Sequence, residues 1–502
     1  MNLIPNHIQQ TGNYWCSWRT QSTALANEEL RKKGYNLRNR IDEDFLFGNI
    51  GTLTKYFEPV RGDLIVVLDD GWDVPIDPPD RKGIGIFGSL EVNRERFPFT
   101  HGEPKERLKQ LADRIRGLGY KGVGLWIACQ MPYDDNTTEE VDIEKEREYW
   151  VERAKWCDYA DIAYWKVDWG RSCKSAEYRE MMTETVKKYA PRLLIEHAYT
   201  QPAYDTPYEE RLADEERSLR IGKTLAVSDF FRAYDVVPEF RYTTMFSRTA
   251  EILENFKTVK DGCLGIINIE DPVQVGAALG CSLGIMRHQI EELREIKQTL
   301  VTPFEDAVRA LMWQRIAPPF GVHESDFHIS KDFVTDKWYY PETKIRQWPY
   351  LSGKTIVQNS PSAISRGTEL PQVRTDGVLP LIGCSKHPNG AFCVGAFPRT
   401  LDGKLNTHYP AHVTVTGANT DAPIGIFGFY KSLTVVFDGT PSGRLMAQDL
   451  ASTEALDITD AVRLDGNRLI LDGGLISKTG LSAARAPEHE TPGLVLKFVE
   501  IG

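Results

Sequence analysis

Two short segments of the chain share one design. Leu64-Ile-Val-Val-Leu-Asp-Asp-Gly-Trp72 and Ala163-Tyr-Trp-Lys-Val-Asp-Trp-Gly170 are mainly apolar runs that end in carboxylates and an aromatic ring. Short runs this poor in polar residues suit strands buried on both faces, as in a parallel sheet covered by helices. A closed parallel barrel then brings the ends of all its strands to one rim, where acids from distant segments can meet.

The rest of the first 330 residues keeps this rhythm of short apolar runs and amphipathic stretches. Strands are expected at 13–18, 64–68, 122–128, 162–167, 192–196, 224–227, 263–268 and 317–322. Residues 105–118 set Leu108, Leu111, Ile115 and Leu118 on one helical face, and Gly119 can close that helix in a left-handed conformation. Further helices are expected at 144–156 and 176–189. Thr302-Pro-Phe-Glu305 has the form of a capping box with proline at the first helical position. Eight strands suit a closed (β/α)8 TIM barrel over residues 1–330. An open doubly wound sheet would want a glycine-rich phosphate turn after its first strand, and the chain has none. From residue 331 to 502 helical periodicity fades into short alternating segments, such as 391–397, 412–416, 433–437 and 469–471. With the hairpin turn Asp465-Gly-Asn467, these predict an all-β, antiparallel β-sandwich domain.

Composition narrows the function. A net charge of −11 over 502 residues argues against binding a nucleic-acid backbone. No apolar run approaches the ~18 residues that cross a bilayer, so no membrane partner is expected. The N-terminal residues show no secretory leader, and the eight cysteines follow no metal or disulfide spacing, which together favour the cytoplasm. His323, Glu324, Asp326 and His328 are metal-ligand types, but without regular spacing they read as a solvated loop. Neither a metal nor a cofactor is expected. Association with further copies of the chain stays open.

The strand ends carry the chemistry. Trp15 and Trp18 follow the first strand; Asp69, Asp70 and Trp72 the second; Trp126 lies in the third. Lys166 and Asp168 end the fourth, and Glu196 with His197 the fifth. Asp229, Arg232 and Asp235 follow the sixth, and Glu270 with Asp271 the seventh. Carboxylates accept paired hydrogen bonds from sugar hydroxyls, and tryptophan faces cover the apolar side of a pyranose. Two carboxylates can also divide nucleophile and acid/base work across a glycosidic bond. Each residue has a plainer reading: Asp168 as a helix cap, Asp69 and Asp70 as turn formers, the tryptophans as core, and His197 as a hydrogen-bonding wall.

Leu64–Trp72, Arg96-Phe-Pro98, the stretch from Leu108 to Trp126 and Lys166-Val-Asp168 together resemble glycoside hydrolase clan D. That clan holds the α-galactosidases and α-N-acetylgalactosaminidases of families 27 and 36, and a barrel followed directly by a β domain is closer to family 27. The resemblance covers roughly residues 60 to 175 and continues more weakly through Arg232, Asp235, Phe240 and Glu270-Asp-Pro272. It implies a retaining, exo-acting α-glycosidase, first of all an α-galactosidase, working by double displacement. Asp168 matches the nucleophile and Asp235 the acid/base, with Asp229 as the alternative acid. Asp69, Asp70, Lys166 and Asp271 match sugar-binding positions, with Trp72 and Arg232 beside matched residues; Trp126, Glu196 and His197 join the candidate substrate-binding set from their places at the strand ends. Gly71 stands where many members have cysteine, and Trp169-Gly-Arg171 replaces small polar residues after the nucleophile. Both changes touch the pocket wall. Another α-glycoside, a β-L-arabinopyranoside, transglycosylation and a catalytically silent sugar-binding barrel therefore stand as alternatives.

Overall fold

The computed structural model describes residues 1–21, 41–75, 86–132, 140–198, 206–234, 237–288, 300–342 and 351–500. Eight parallel strands close into a barrel in chain order. They are β1 (Tyr14–Cys16), β2 (Ile65–Leu68), β3 (Gly122–Ile127), β4 (Tyr164–Val167), β5 (Leu194–Ala198), β6 (Phe230–Arg232), β7 (Ile266–Glu270) and β8 (Ser282–Ile285). The barrel shuts through Tyr14 beside Gly284 and Trp15 beside Ile285.

The principal outer helices are α1 (Pro104–Arg116), α2 (Ile143–Ala160), α3 (Ala176–Tyr189), α4 (Glu215–Ala226), α5 (Arg241–Asn255), α6 (Val273–Ala278) and α7 (Phe304–Ile316). Helix α1 buries Leu108, Leu111, Ala112 and Ile115, as its spacing requires. It opens with a capping box between Glu103 and Glu106, and Gly119 beyond its end takes φ +91°.

Two expected strands are not strands. Residues 224–226 complete α4, where Thr224 and Leu225 continue the buried face begun by Ile221. The sixth strand follows four residues later, at Phe230. Residues 317–322 form no strand either; the eighth is Ser282–Ile285. The capping box at Thr302 is also absent. Pro303 is the N-cap of α7 without a side-chain hydrogen bond, and the Thr302 hydroxyl donates to the Asp271 carbonyl at 2.6 Å.

The C-terminal part packs an eight-stranded sheet on a five-stranded one. Most neighbouring strands are antiparallel, as expected, with three parallel pairs among them. Ala363–Arg366 with Leu381–Lys386, Phe392–Phe397 with Ile424–Phe427, and His412–Ala418 with Ser432–Phe437 run parallel. The large sheet is buried on both faces. Along Phe392–Phe397, Phe392, Val394 and Ala396 enter the sandwich core, while Cys393 and Phe397 join the core of the barrel side. Trp313 of α7 lies against Gly425, where an added Cβ would come within 2.8 Å of its ring. The outermost strand of this sheet, Phe327–Ile329, begins before residue 330 and pairs with Ala363–Arg366. Buried charge ties the parts together: Arg309 of α7 meets Asp449 at 2.9 Å and Glu490 at 2.8 Å.

Candidate active site

Alternate residues of a barrel strand face the lumen, so parity decides what can meet at the mouth. The lower lumen is filled by Ile65, Val67, Phe230 and Ile266 together with the rings of Tyr14 and Tyr164. Above this floor the same faces turn polar. Asp69 continues from β2, Lys166 and Asp168 from β4, Glu196 from β5, Arg232 from β6 and Glu270 from β7.

These groups form one network. Lys166 Nζ lies 2.8 Å from Asp69 Oδ2 and 3.1 Å from Glu270 Oε1. The Cys16 thiol donates to the same Asp69 oxygen at 2.9 Å. Arg232 is shared three ways, with Nη2 at 3.0 Å from Asp168 Oδ1, Nε at 3.1 Å from Glu196 Oε1 and Nη1 at 3.2 Å from Glu270 Oε2. Tyr14 donates to Glu270 at 2.7 Å, and Tyr164 donates to Glu196 at 2.8 Å. The Trp126 indole N–H donates to Asp168 Oδ2 at 3.0 Å.

Four carboxyl groups face two cations, and the surroundings push Glu196 and Asp168 in opposite directions. Burial pushes Glu196 up to about 8, and Glu270 adds to the effect against the opposing pull of Arg232. Glu196 therefore keeps its proton at neutral pH. Burial works against ionisation of Asp168 too, but Arg232, Lys166 and the Trp126 N–H outweigh it and hold its pKa below the ordinary aspartate value. Burial alone would discharge Lys166; Asp69 and Glu270 keep it firmly protonated. Asp168 is also the most accessible of the four carboxyl groups, with a side chain 13% exposed against 5% for Asp69 and none for Glu196 and Glu270. The network thus presents the ionised Asp168 carboxylate at the barrel mouth.

The backbone of Asp168 is held from outside the barrel. Arg179 of α3 donates to its carbonyl at 2.9 Å and to that of Cys173 at 3.0 Å. Gly170 follows at φ +139°, where a Cβ would fall 2.7 Å from the Cys129 nitrogen. Asp168 does not cap a helix, because Ser175 does so for α3. Arg96 of the Arg-Phe-Pro motif donates to the carbonyls of Gly71 and Trp72, fixing the turn after β2.

Not every expected site residue joins this network. His197 faces away from the lumen, between Arg179 at 3.3 Å and Thr183 at 2.9 Å, and burial with the Arg179 charge depresses its pKa. Trp72 is fully buried, and its N–H donates to the Trp126 carbonyl at 2.9 Å. Trp15 packs outside the lumen on Tyr120, whereas Trp18 lies against the lumen cluster. Asp70 is buried and its carbonyl accepts from Gln21. The Asp271 carboxylate accepts from the Met286 and Arg287 nitrogens and pairs with the Arg287 guanidinium at 2.6 Å, so it braces the turn after β8. Asp229 precedes β6 instead of following it. It sits at the end of the barrel opposite the mouth, bound to Lys187 and to the Ile195 nitrogen. That placement removes it as the alternative acid. Asp235 lies outside the described residues.

Two lumen groups, Tyr14 and Cys16, escape the sequence reading, and Glu270 enters it only as a strand-end acid beside Asp271, which takes the sugar-binding role there. The signal for Glu270 was available in the alternation of Ile266, Asn268 and Glu270, set against the neighbouring Asp271. Among the described residues no group of His, Cys, Asp and Glu is placed to hold a metal ion. His328 lies 3.9 Å from Asp326 at most loosely paired, in and beside the strand Phe327–Ile329. All eight cysteines are free thiols. Among the described residues, no helix is long and apolar enough to cross a membrane.

No protein-family model matches the chain, and no curated protein matches it. Solved structures similar to it include a family 27 β-L-arabinopyranosidase from Geobacillus stearothermophilus, at 13% identity over 98% of this chain and 97% of that one, TM-score 0.44. An α-galactosidase from Saccharomyces cerevisiae is similar at 9% identity over 97% of each chain, TM-score 0.43. A putative α-N-acetylgalactosaminidase from Bacillus halodurans is similar at 11% identity over 99% of this chain and all of that one, TM-score 0.43.

Proposed function

We propose that the protein is a retaining, exo-acting α-glycosidase whose first substrate class is a terminal α-galactoside. The observation that carries this reading is the ionised Asp168 at the barrel mouth, oriented by Arg232 and Trp126 above an otherwise buried charge network. A carboxylate kept anionic, partly accessible and fixed in direction is suited to attack an anomeric carbon.

In this mechanism Asp168 bonds to C1 as Asp235, assigned by its place in the motif resemblance, protonates the leaving oxygen. Asp235 then takes a proton from water, the water oxygen bonds to C1, and the ester to Asp168 breaks with its electron pair returning to the carboxylate. Lys166 and Asp69 act as hydroxyl ligands on one side of the glycone. The reading requires the carboxyl groups of Asp168 and Asp235 to lie ~5–5.5 Å apart; ~8 Å would favour inversion. It needs no metal or cofactor, and its partner is the glycoside.

The test is a panel of aryl α-galactoside, α-N-acetylgalactosaminide, α-glucoside and β-L-arabinopyranoside, run with wild type and Asp168→Ala. Aglycone release by wild type, lost in the variant, is expected. A 2-deoxy-2-fluoro galactosyl fluoride should leave one glycosyl group on Asp168 by mass spectrometry. Equal sugar binding by both proteins with no turnover of any substrate would sink the enzyme reading in favour of a sugar-binding barrel.

A further inference from the structure

Glu270 touches both buried cations of the lumen. One carboxyl oxygen lies 3.1 Å from Lys166 Nζ and the other 3.2 Å from Arg232 Nη1. Neither Asp69, Glu196 nor Asp168 makes an ion pair with both. The geometry of Glu270 is itself fixed, because Tyr14 on the neighbouring face donates to Oε1 at 2.7 Å and the residue is fully buried. The Cβ position of Gly284 lies 2.7 Å from the Glu270 side chain and 2.8 Å from the Tyr14 ring, so only glycine on β8 leaves room for the pair.

We infer that Glu270 is the positioning residue that couples the two halves of the site, holding the sugar-side Lys166 and the nucleophile-side Arg232 in register across the lumen. Two like charges in a low-dielectric lumen repel strongly unless an anion lies between them. With Glu270 there, Arg232 divides its donors among three carboxylates. Without it, the guanidinium turns more fully to Asp168, and Lys166 is drawn toward Asp69. The residue acts through its two neighbours and touches no reacting atom. This inference rests on the glycosidase reading for its kinetic arm only.

Two variants separate the charge of Glu270 from its reach. Glu270→Gln keeps the shape and removes the charge; Glu270→Asp keeps the charge but cannot span both cations. Asp168 is faced by Arg232, Lys166, Trp126, Glu196 and Glu270, of which the last opposes its ionisation. Glu270→Gln should therefore lower the acid limb of the kcat/KM profile for an aryl α-galactoside by ~0.5–1 pH unit, with kcat falling ~10–100-fold. Glu270→Asp should lose rate similarly with its acid limb unmoved. Crystal structures of both variants supply the arm that needs no activity, and in each the Lys166 and Arg232 side chains should have separated or turned. If wild type turns over no glycoside, the functional reading fails, and the crystal structures still decide the role of Glu270. Unmoved cations in the variant structures, or wild-type rate and acid limb in Glu270→Gln, would overturn the inference. If the glutamine variant does not fold, the aspartate variant decides by the same two readouts.

Discussion

Replacing Trp126 with phenylalanine isolates one of the forces that set the charge on Asp168. The indole N–H donates to Asp168 Oδ2 at 3.0 Å, while the ring packs against Phe87 and Trp169 with centroids 5.5 Å away. Phenylalanine keeps much of that packing and removes the donor. A hydrogen bond to a charged group contributes ~1.5–3 kcal/mol, and one pKa unit corresponds to ~1.4 kcal/mol, so the loss should raise the Asp168 pKa by ~1–2 units. The lower end is expected, because Arg232 and Lys166 continue to favour the anion. A depressed carboxylate pKa adds stability that is present above the unfolded value and lost as pH falls through the folded one. The variant should therefore lose more stability at pH 7 than at pH 3. The assay is the pH dependence of kcat/KM with an aryl α-galactoside, paired with urea unfolding at both pH values. An acid limb that stays in place or moves down would refute the account of how Asp168 is kept ionised.

Glu196 titrates with the opposite sign. Its folded pKa lies above the unfolded one, so its contribution is complete at low pH and declines between ~4.3 and about 8, by at most ~1.4 kcal/mol per pH unit. Glu196→Gln should flatten the fall of unfolding free energy between pH 5 and 9; an unchanged slope would show that another group causes it. Asp229→Asn should lower the melting temperature through the loss of its Lys187 pair, yet leave the shape of the pH–rate profile alone, because that aspartate sits at the far end of the barrel. Loss of either limb in a folded Asp229→Asn protein would contradict its placement. Arg309→Met strands Asp449 and Glu490 without their guanidinium and should cost ~3–5 kcal/mol in urea unfolding, whereas a loss below ~1 kcal/mol would mean that the cluster contributes little.

What the sequence made legible followed from side-chain chemistry. β2 and β4 stood out because mainly apolar runs ended in acids, and helix α1 because its buried face kept a 3.6-residue period. β8 was hidden for a physical reason. Its middle residue must be Gly284 to admit Tyr14 and Glu270, so Ser282-Leu-Gly-Ile285 lacks the apolar density that marks a strand. β6 was displaced because Thr224–Ala226, β-branched and apolar, serve the inner face of a helix. The error carried into the site, since moving the strand to Phe230–Arg232 puts Asp229 below the barrel and Arg232 in its lumen. Choosing Asp271 over Glu270 had a similar origin. Adjacent acids at a strand end look alike until the ladder register fixes which one faces inward.

The large sheet that lies against α7 on one side and the smaller sheet on the other is a wall common to two cores. Cutting the chain at residue 330 would separate Phe327–Ile329 from its partner strand and leave Trp313 and Arg309 facing water. A truncated barrel would then carry a broad oily flank and an orphaned cation, so it should aggregate or unfold instead of standing as an independent domain. The β domain is in that sense part of the barrel's foundation, and a search for smaller stable fragments should begin at surface loops away from this seam.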